Sequence, residues 1–134
     1  MTMIELENRP LTAPDNDPRP EPAIGHVGLR VKNLEKSKSF LELVGVRTVV
    51  TLPRMAILEL RGGTHIVLRQ DDQAPLFAGF DLMVDDIDEM RKRLLKAGYT
   101  PSKISQGGVH RSFSVIDPSG IEFDFTSSHA VGPV

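Results

Sequence analysis

Histidine and carboxylate side chains stand within several short apolar segments, and both groups can bind divalent metal ions or move protons. His26 opens the segment HVGLRV and His65 opens HIVLR. Asp81 lies in FDLMV, while Glu122 and Asp124 alternate with phenylalanines in EFDF. Imidazole is the side chain whose charge changes most readily near neutral pH. These five residues are therefore the candidates for metal binding or acid–base chemistry, with hydrogen-bonded structural roles as the alternative.

Alternation within a strand determines which neighbours share a surface with these candidates. Residues two apart in a strand point to the same side of the sheet. His26 therefore shares its side with Arg30, and His65 shares its side with Arg69. The intervening residues are almost all apolar and suit a core. The two arginines could bind an anionic substrate or pair with carboxylates at the rim of a sheet.

The segments that carry the candidates occur twice in the chain. An offset of 53 positions aligns Val31 with Val84, and an offset of 57 aligns His65 with Glu122. Two copies are too few for a solenoid. They indicate two equal modules packed about a pseudo-twofold axis.

Each copy has the pattern of a βαβββ unit. In the first copy, Asn33 caps a helix that Gly45 ends, and strands are predicted at residues 24–31, 46–52, 55–60 and 64–69. In the second copy, Asp86 and Gly98 bound the helix, and strands are predicted at residues 77–84, 99–104, 111–116 and 121–126. The pattern predicts an α+β fold in which two βαβββ modules form an open barrel or cup. The predicted divisions are module one at 24–70 and module two at 77–127 of a single domain at 24–128.

The two ends of the chain differ from this pattern. Five of the ten prolines lie in residues 1–23, and proline supplies no backbone N–H donor. This composition predicts a disordered, Pro-rich tail, with a partner-binding arm as the alternative. Residues 129–134 are predicted to be a short C-terminal tail.

Composition and charge exclude several classes of function. A formal net charge of −2 argues against nucleic-acid binding. The chain has no cysteine, no apolar run long enough for a bilayer and no secretory signal pattern. We therefore expect a cytoplasmic protein with no membrane partner.

Three motifs, together with the repeat, resemble the vicinal oxygen chelate superfamily. They are HVGLRV at 26–31, FDLMVDD at 80–86 and DPSGIEFDF at 117–125. The superfamily includes glyoxalase I, extradiol dioxygenases, methylmalonyl-CoA epimerase, fosfomycin-resistance enzymes and bleomycin-resistance proteins. The resemblance covers about residues 24–128, and it implies a fold that hosts many reactions.

The resemblance also implies where a metal would bind. The four ligand positions of metal-binding members fall on His26, Val67, Gly79 and Asp124. Valine and glycine have no ligating side chain, so the implied site for Mn²⁺, Fe²⁺, Ni²⁺ or Zn²⁺ is degenerate and keeps His26 and Asp124. His65 and Glu122 would supply further ligands or an acid–base pair, with a simple salt bridge as the alternative. The implied substrate contacts are Arg30, Arg69, Asp81 and Met83.

Three functions remain open at this point. The first is a metal-assisted lyase, isomerase or dioxygenase acting on a small molecule. The second is a metal-free protein that binds or sequesters a small molecule, as bleomycin-resistance proteins do. The third is a catalytically silent subunit that has kept the fold. The resemblance further implies a homodimer in which module one of each chain faces module two of the other.

Overall fold

The computed structural model describes residues 18–128. Residues 18–25 are exposed and form neither helix nor strand. The rest of the predicted N-terminal tail and the predicted C-terminal tail at 129–134 lie outside the described residues. Each of the two helices described spans ten residues, and neither is long and apolar enough to cross a membrane.

Module one is a four-stranded sheet with one helix. Its elements are β1 (His26–Val31), α1 (Leu34–Leu43), β2 (Arg47–Leu52), β3 (Met55–Glu59), a 3₁₀ turn at Arg61–Gly63, and β4 (His65–Gln70). The strand order is β1-β4-β3-β2. β1 runs parallel to β4, while β3 is antiparallel to both of its neighbours.

Module two repeats this arrangement. Its elements are β5 (Phe77–Val84), α2 (Ile87–Lys96), β6 (Ser105–Gln106), β7 (Arg111–Ile116) and β8 (Glu122–Ser127). The strand order is β5-β8-β7-β6, with β5 parallel to β8. The prediction of two βαβββ modules is confirmed, and among residues 18–128 both sheets are open and neither closes into a barrel.

One predicted strand is wrong. The segment at 99–104 is irregular, and β6 is only the two residues Ser105–Gln106. Pro101 has no backbone N–H to donate to a neighbouring strand. The next residue, Ser102, forms hydrogen bonds with Ser114 of β7. The Ser102 N–H donates to the Ser114 carbonyl at 2.8 Å, and its hydroxyl accepts the Ser114 N–H at 2.9 Å. The side chain thus replaces one ladder bond.

Both helices begin and end where the sequence predicts. The Asn33 side chain accepts the Lys36 N–H at 3.1 Å, and the Asp86 carboxylate accepts the Glu89 N–H at 3.0 Å. These caps satisfy backbone donors that the first turn of a helix leaves without an intrahelical partner. The caps fix the directions in which β1 and β5 lead into their helices.

The two modules share one hydrophobic core on the helix side of the sheets. Phe40 of α1 lies 5.2 Å from Tyr99 and 5.4 Å from Phe123 between ring centroids, so module one packs into module two. Leu29 and Leu82, which alternate with polar residues in β1 and β5, are buried. The predicted apolar face of each sheet therefore lies under the helices, and the polar face is left for a ligand.

A buried polar cluster joins the modules at a second point. Ser37 of α1 donates to the Asp117 carboxylate at 2.6 Å and contacts the Ser119 hydroxyl at 2.5 Å. Asp117 also accepts the backbone N–H groups of Ser119 and Ile121, both at 2.9 Å. This cluster, which we call the Ser37–Asp117 latch, holds α1 against the turn between β7 and β8.

Candidate ligand-binding cup

Four basic side chains lie on the polar face of module one. Parallel pairing of β1 with β4 sets His26 opposite His65 and Arg30 opposite Arg69. The two imidazole rings are 5.5 Å apart between centroids. We call these four residues the basic face; the structure brings them together as alternation predicts.

The partner of His65 is a residue that the sequence analysis missed. Its Nε2 lies 3.2 Å from Oε2 of Glu59, the residue directly opposite on β3. The Arg47 guanidinium also bonds Glu59, and these hydrogen bonds, first from Arg47 and then from His65, lower the pKa of the Glu59 carboxyl. The short turn at Arg61–Gly63 was the available signal, because a tight hairpin places residues 59 and 65 opposite one another.

Three carboxylates lie on the polar face of module two. Asp81 and Asp124 are opposite one another on β5 and β8, and Glu122 is two residues before Asp124 on the same side. They line a hollow of about 650 Å³, which we call the acidic hollow. Its other polar side chains are Ser102, Ser105, His110, Ser112, Ser114 and Thr126.

Hydroxyl groups are the second component of the acidic hollow. Thr126 donates to Asp81 Oδ2 at 2.9 Å, which orients that carboxylate. Ser112 and Ser114 alternate along β7, facing the same side as Asp124. The sequence analysis did not single out these serines, although their alternation with Phe113 and Val115 in RSFSV was the signal that could have found them.

The polar faces of the two modules meet at a smaller hollow of about 520 Å³. It is lined by Arg30 and Arg69 together with Phe77 and Gly79 of β5. Met83, in contrast, is 44% exposed and does not line the acidic hollow. The structure therefore groups Asp81 with Glu122 and Asp124, groups Arg30 with Arg69, and leaves Met83 outside both of these hollows.

The described residues of one chain do not fit a divalent metal ion. His26 is on the basic face, whereas Asp124 lines the acidic hollow, whose lining does not include either His26 or His65. Across residues 18–128, the structure has no group of three or more histidine, aspartate or glutamate side chains arranged to hold a metal. We therefore assign no chemical step to a metal held by a single chain.

Gly79, a position that carries a ligand in metal-binding members, has a conformational reason to be glycine. Its φ is +83°, in the left-handed region that L side chains rarely adopt. The pairing of β5 with β8 breaks between Phe77 and Asp81, on either side of it. The bulge brings Asp81 back into register with Asp124.

Comparison with known proteins supports this fold. The chain is similar to an antibiotic-binding protein from a Streptomyces species, with 24% identity and a TM-score of 0.69 over 79% of this chain and 95% of the other. It is also similar to a lactoylglutathione lyase from Agrobacterium tumefaciens, with 18% identity and a TM-score of 0.68 over 81% and 96% of the two chains. A member of the glyoxalase/bleomycin resistance protein/dioxygenase superfamily from Sphaerobacter thermophilus matches with 20% identity and a TM-score of 0.66, over 80% and 98%.

These likenesses define the class of fold. No protein-family model matches the sequence, and no curated protein matches it. The chain has the vicinal oxygen chelate fold, and the resemblance predicted from its motifs is confirmed at that level. Because this fold hosts many activities, the function has to be argued from the site.

Proposed function

We propose that the protein binds a small molecule in the acidic hollow and does so without a metal ion held by one chain. The observation that carries this proposal is the hollow of about 650 Å³ with three carboxylates and a ring of hydroxyls on its walls. Its volume lies within the ~300–1,000 Å³ range of ligand pockets. The likeness to an antibiotic-binding protein supports binding as the use of this fold.

The lining indicates the chemistry of the ligand. Asp81, Glu122 and Asp124 offer acceptor oxygens, and neither lysine nor arginine is among the described residues that line the hollow. Carboxylates form strong charge-assisted hydrogen bonds with ammonium and guanidinium groups. Serine hydroxyls can both donate to and accept from ligand hydroxyls. We therefore propose a ligand that carries an amine and several hydroxyl groups.

Matched sugars test the charge requirement. Glucosamine carries a charged ammonium group where N-acetylglucosamine carries a neutral, acetylated amide, and binding is followed by NMR chemical-shift titration of the full chain. We expect glucosamine to bind at least about tenfold more tightly, because one charge-assisted hydrogen bond contributes roughly 1.5–3 kcal/mol. Asp124→Asn should remove this preference. Glu35→Gln, which neutralises an exposed carboxylate outside the hollow, should leave it intact. Equal binding of both sugars would overturn the proposal.

A metal-assisted lyase or isomerase is the second candidate, favoured by the adjacent rings of His26 and His65. In this version the site would be completed across two chains. Elemental analysis after loading with Mn²⁺, Fe²⁺, Ni²⁺ or Zn²⁺ distinguishes the candidates. Stoichiometric metal that is lost in His26→Ala would favour the enzyme, and no retained metal would favour the binding protein.

We also propose a homodimer in which the basic face of each chain covers the acidic hollow of the other. Opposite charges on the two faces support this pairing, since complementary charge fixes the register of an interface. The apolar side chains of Val49, Val50 and Leu52, exposed on β2, offer further surface to bury.

Charge reversal provides a direct test of the pairing. Arg69→Glu and Asp124→Lys should each weaken the homodimer, measured by light scattering across a dilution series. A mixture of the two variants should recover the dimer, because each altered face then meets an opposite charge. A monomeric wild-type protein, or a mixture that shows no recovery, would contradict the pairing.

A further inference from the structure

The duplicated fold produces two equivalent contacts between a helix of one module and the other module. In the first contact, α1 lies against module two, and the rings of Phe40, Tyr99 and Phe123 fill the space between them. The Ser37–Asp117 latch closes the rim of this contact. In the second, α2 faces Leu60 and Arg61 of module one across an open space, and its Arg93 reaches the Leu43 carbonyl.

The second contact lacks the aromatic filling. The pairing of Leu29 with Leu68 and of Leu82 with Phe125 confirms in the structure the offsets of 53 and 57 found in the sequence. By the first offset, Arg93 stands where α1 has Phe40, and Tyr99 is the counterpart of Val46. Two aromatic rings are thus replaced by the smaller Val46 and by the partly extended, exposed side chain of Arg93. Space is therefore left between the modules at this contact.

This space is an open groove of about 340 Å³, which we call the inter-module groove. Its apolar lining includes Val44, Val46, Leu60, Leu82, Met83, Met90 and Phe125. Leu82 and Phe125 point to the opposite side of their sheet from Asp81 and Asp124, and no residue lines both spaces. The groove is therefore separate from the acidic hollow.

The groove is lined by acidic and basic side chains, and its two arginines differ in how strongly they are already hydrogen-bonded. Arg61 is bound to Asp85 at 2.6 Å, and this hydrogen bond raises the pKa of Arg61. Arg93 is exposed, and its guanidinium donates a long hydrogen bond of 3.5 Å to the Leu43 carbonyl. Asp86 and Glu89 also line the groove, so an acidic group would have to approach from the Arg93 side.

We propose that the inter-module groove is a second binding site, for a flat aromatic molecule of one or two fused rings that bears a carboxylate. The ring occupies the space that Phe40 and Tyr99 fill in the other half. Met90 offers a thioether, which makes favourable contacts with aromatic rings. The carboxylate of the ligand accepts hydrogen bonds from the Arg93 guanidinium, which suits planar, bidentate recognition.

The test uses 2-naphthoate as the probe and the methionine methyl groups of the full chain as NMR reporters. We expect a saturable shift of the Met90 methyl signal, assigned with Met90→Leu, and no shift of Met55, which lies on β3. The neutral analogue 2-naphthalenemethanol should bind at least about tenfold more weakly, as loss of a charge-assisted bond implies. Arg93→Gln, at an exposed position, should abolish that difference.

A plugged variant tests the site itself. Val46→Tyr restores one of the missing rings and should eliminate the Met90 shift while Arg93 remains. Asp124→Asn, in the acidic hollow, should leave naphthoate binding unchanged. If Val46→Tyr does not fold, the Arg93→Gln comparison alone decides the matter. The proposal is overturned if millimolar naphthoate leaves Met90 unshifted, if the neutral analogue binds equally well, or if Asp124→Asn abolishes binding.

Discussion

Replacement of Ser37 by alanine should destabilise the fold far more than the same replacement two residues later in the helix. Ser37 is 1% exposed and Asp117 is 4% exposed, so water cannot readily replace the bond between them. A hydrogen bond to a charged group contributes roughly 1.5–3 kcal/mol. Asp117 would keep its two backbone donors, Ser119 and Ile121, but lose its link to α1.

Ser39→Ala is the matched control, because Ser39 is exposed on the same helix. Alanine favours a helix over serine by a few tenths of a kcal/mol at both positions, so this gain cancels in the comparison. The free energy of unfolding of Ser37→Ala should therefore lie about 1.5–3 kcal/mol below that of Ser39→Ala.

Urea denaturation of both variants measures this difference in stability, and thermal melts should show a gap of roughly 5–12 °C for a domain of this size. Equal stability of the two variants would refute the claim that the Ser37–Asp117 latch joins the modules.

Two further predictions concern the polar faces of the sheets. Gly79→Ala should cost about 1–2 kcal/mol because of its positive φ, whereas Gly28→Ala, which meets open space at an ordinary φ, should be nearly neutral in the same denaturation assay. The Glu59 carboxyl has a lowered pKa when folded, so its bonds to Arg47 and His65 stabilise the fold above its ordinary pKa of 4.5 and are lost as the pH falls through the folded value. The melting-temperature gap between the wild type and Glu59→Gln should thus be present at about pH 7 and shrink as the pH falls below 4.5; a gap that stays constant on acidification would contradict this assignment.

The order of elements and the sidedness of the strands could be predicted from the sequence, because both depend on neighbours within a few positions. Asn33 and Asp86 mark the helix starts, because each side chain accepts the backbone N–H of the residue three positions later. The alternation in HVGLRV and EFDF determines which face is buried, since side chains in any strand alternate. The predicted strand at 99–104 was wrong because the Ser102 side chain accepts a backbone N–H that a strand would have bonded through its carbonyl.

The grouping of the candidate residues was decided by tertiary structure. Within one chain, His65 and Glu122 lie at equivalent positions of different sheets, and His65 bonds Glu59 on the next strand. Strand order and the packing of one module against the other involve residues dozens of positions apart, and no local pattern records which of them meet. The same long-range packing filled one contact between the modules with Phe40 and Tyr99 and left the other open beside Arg93.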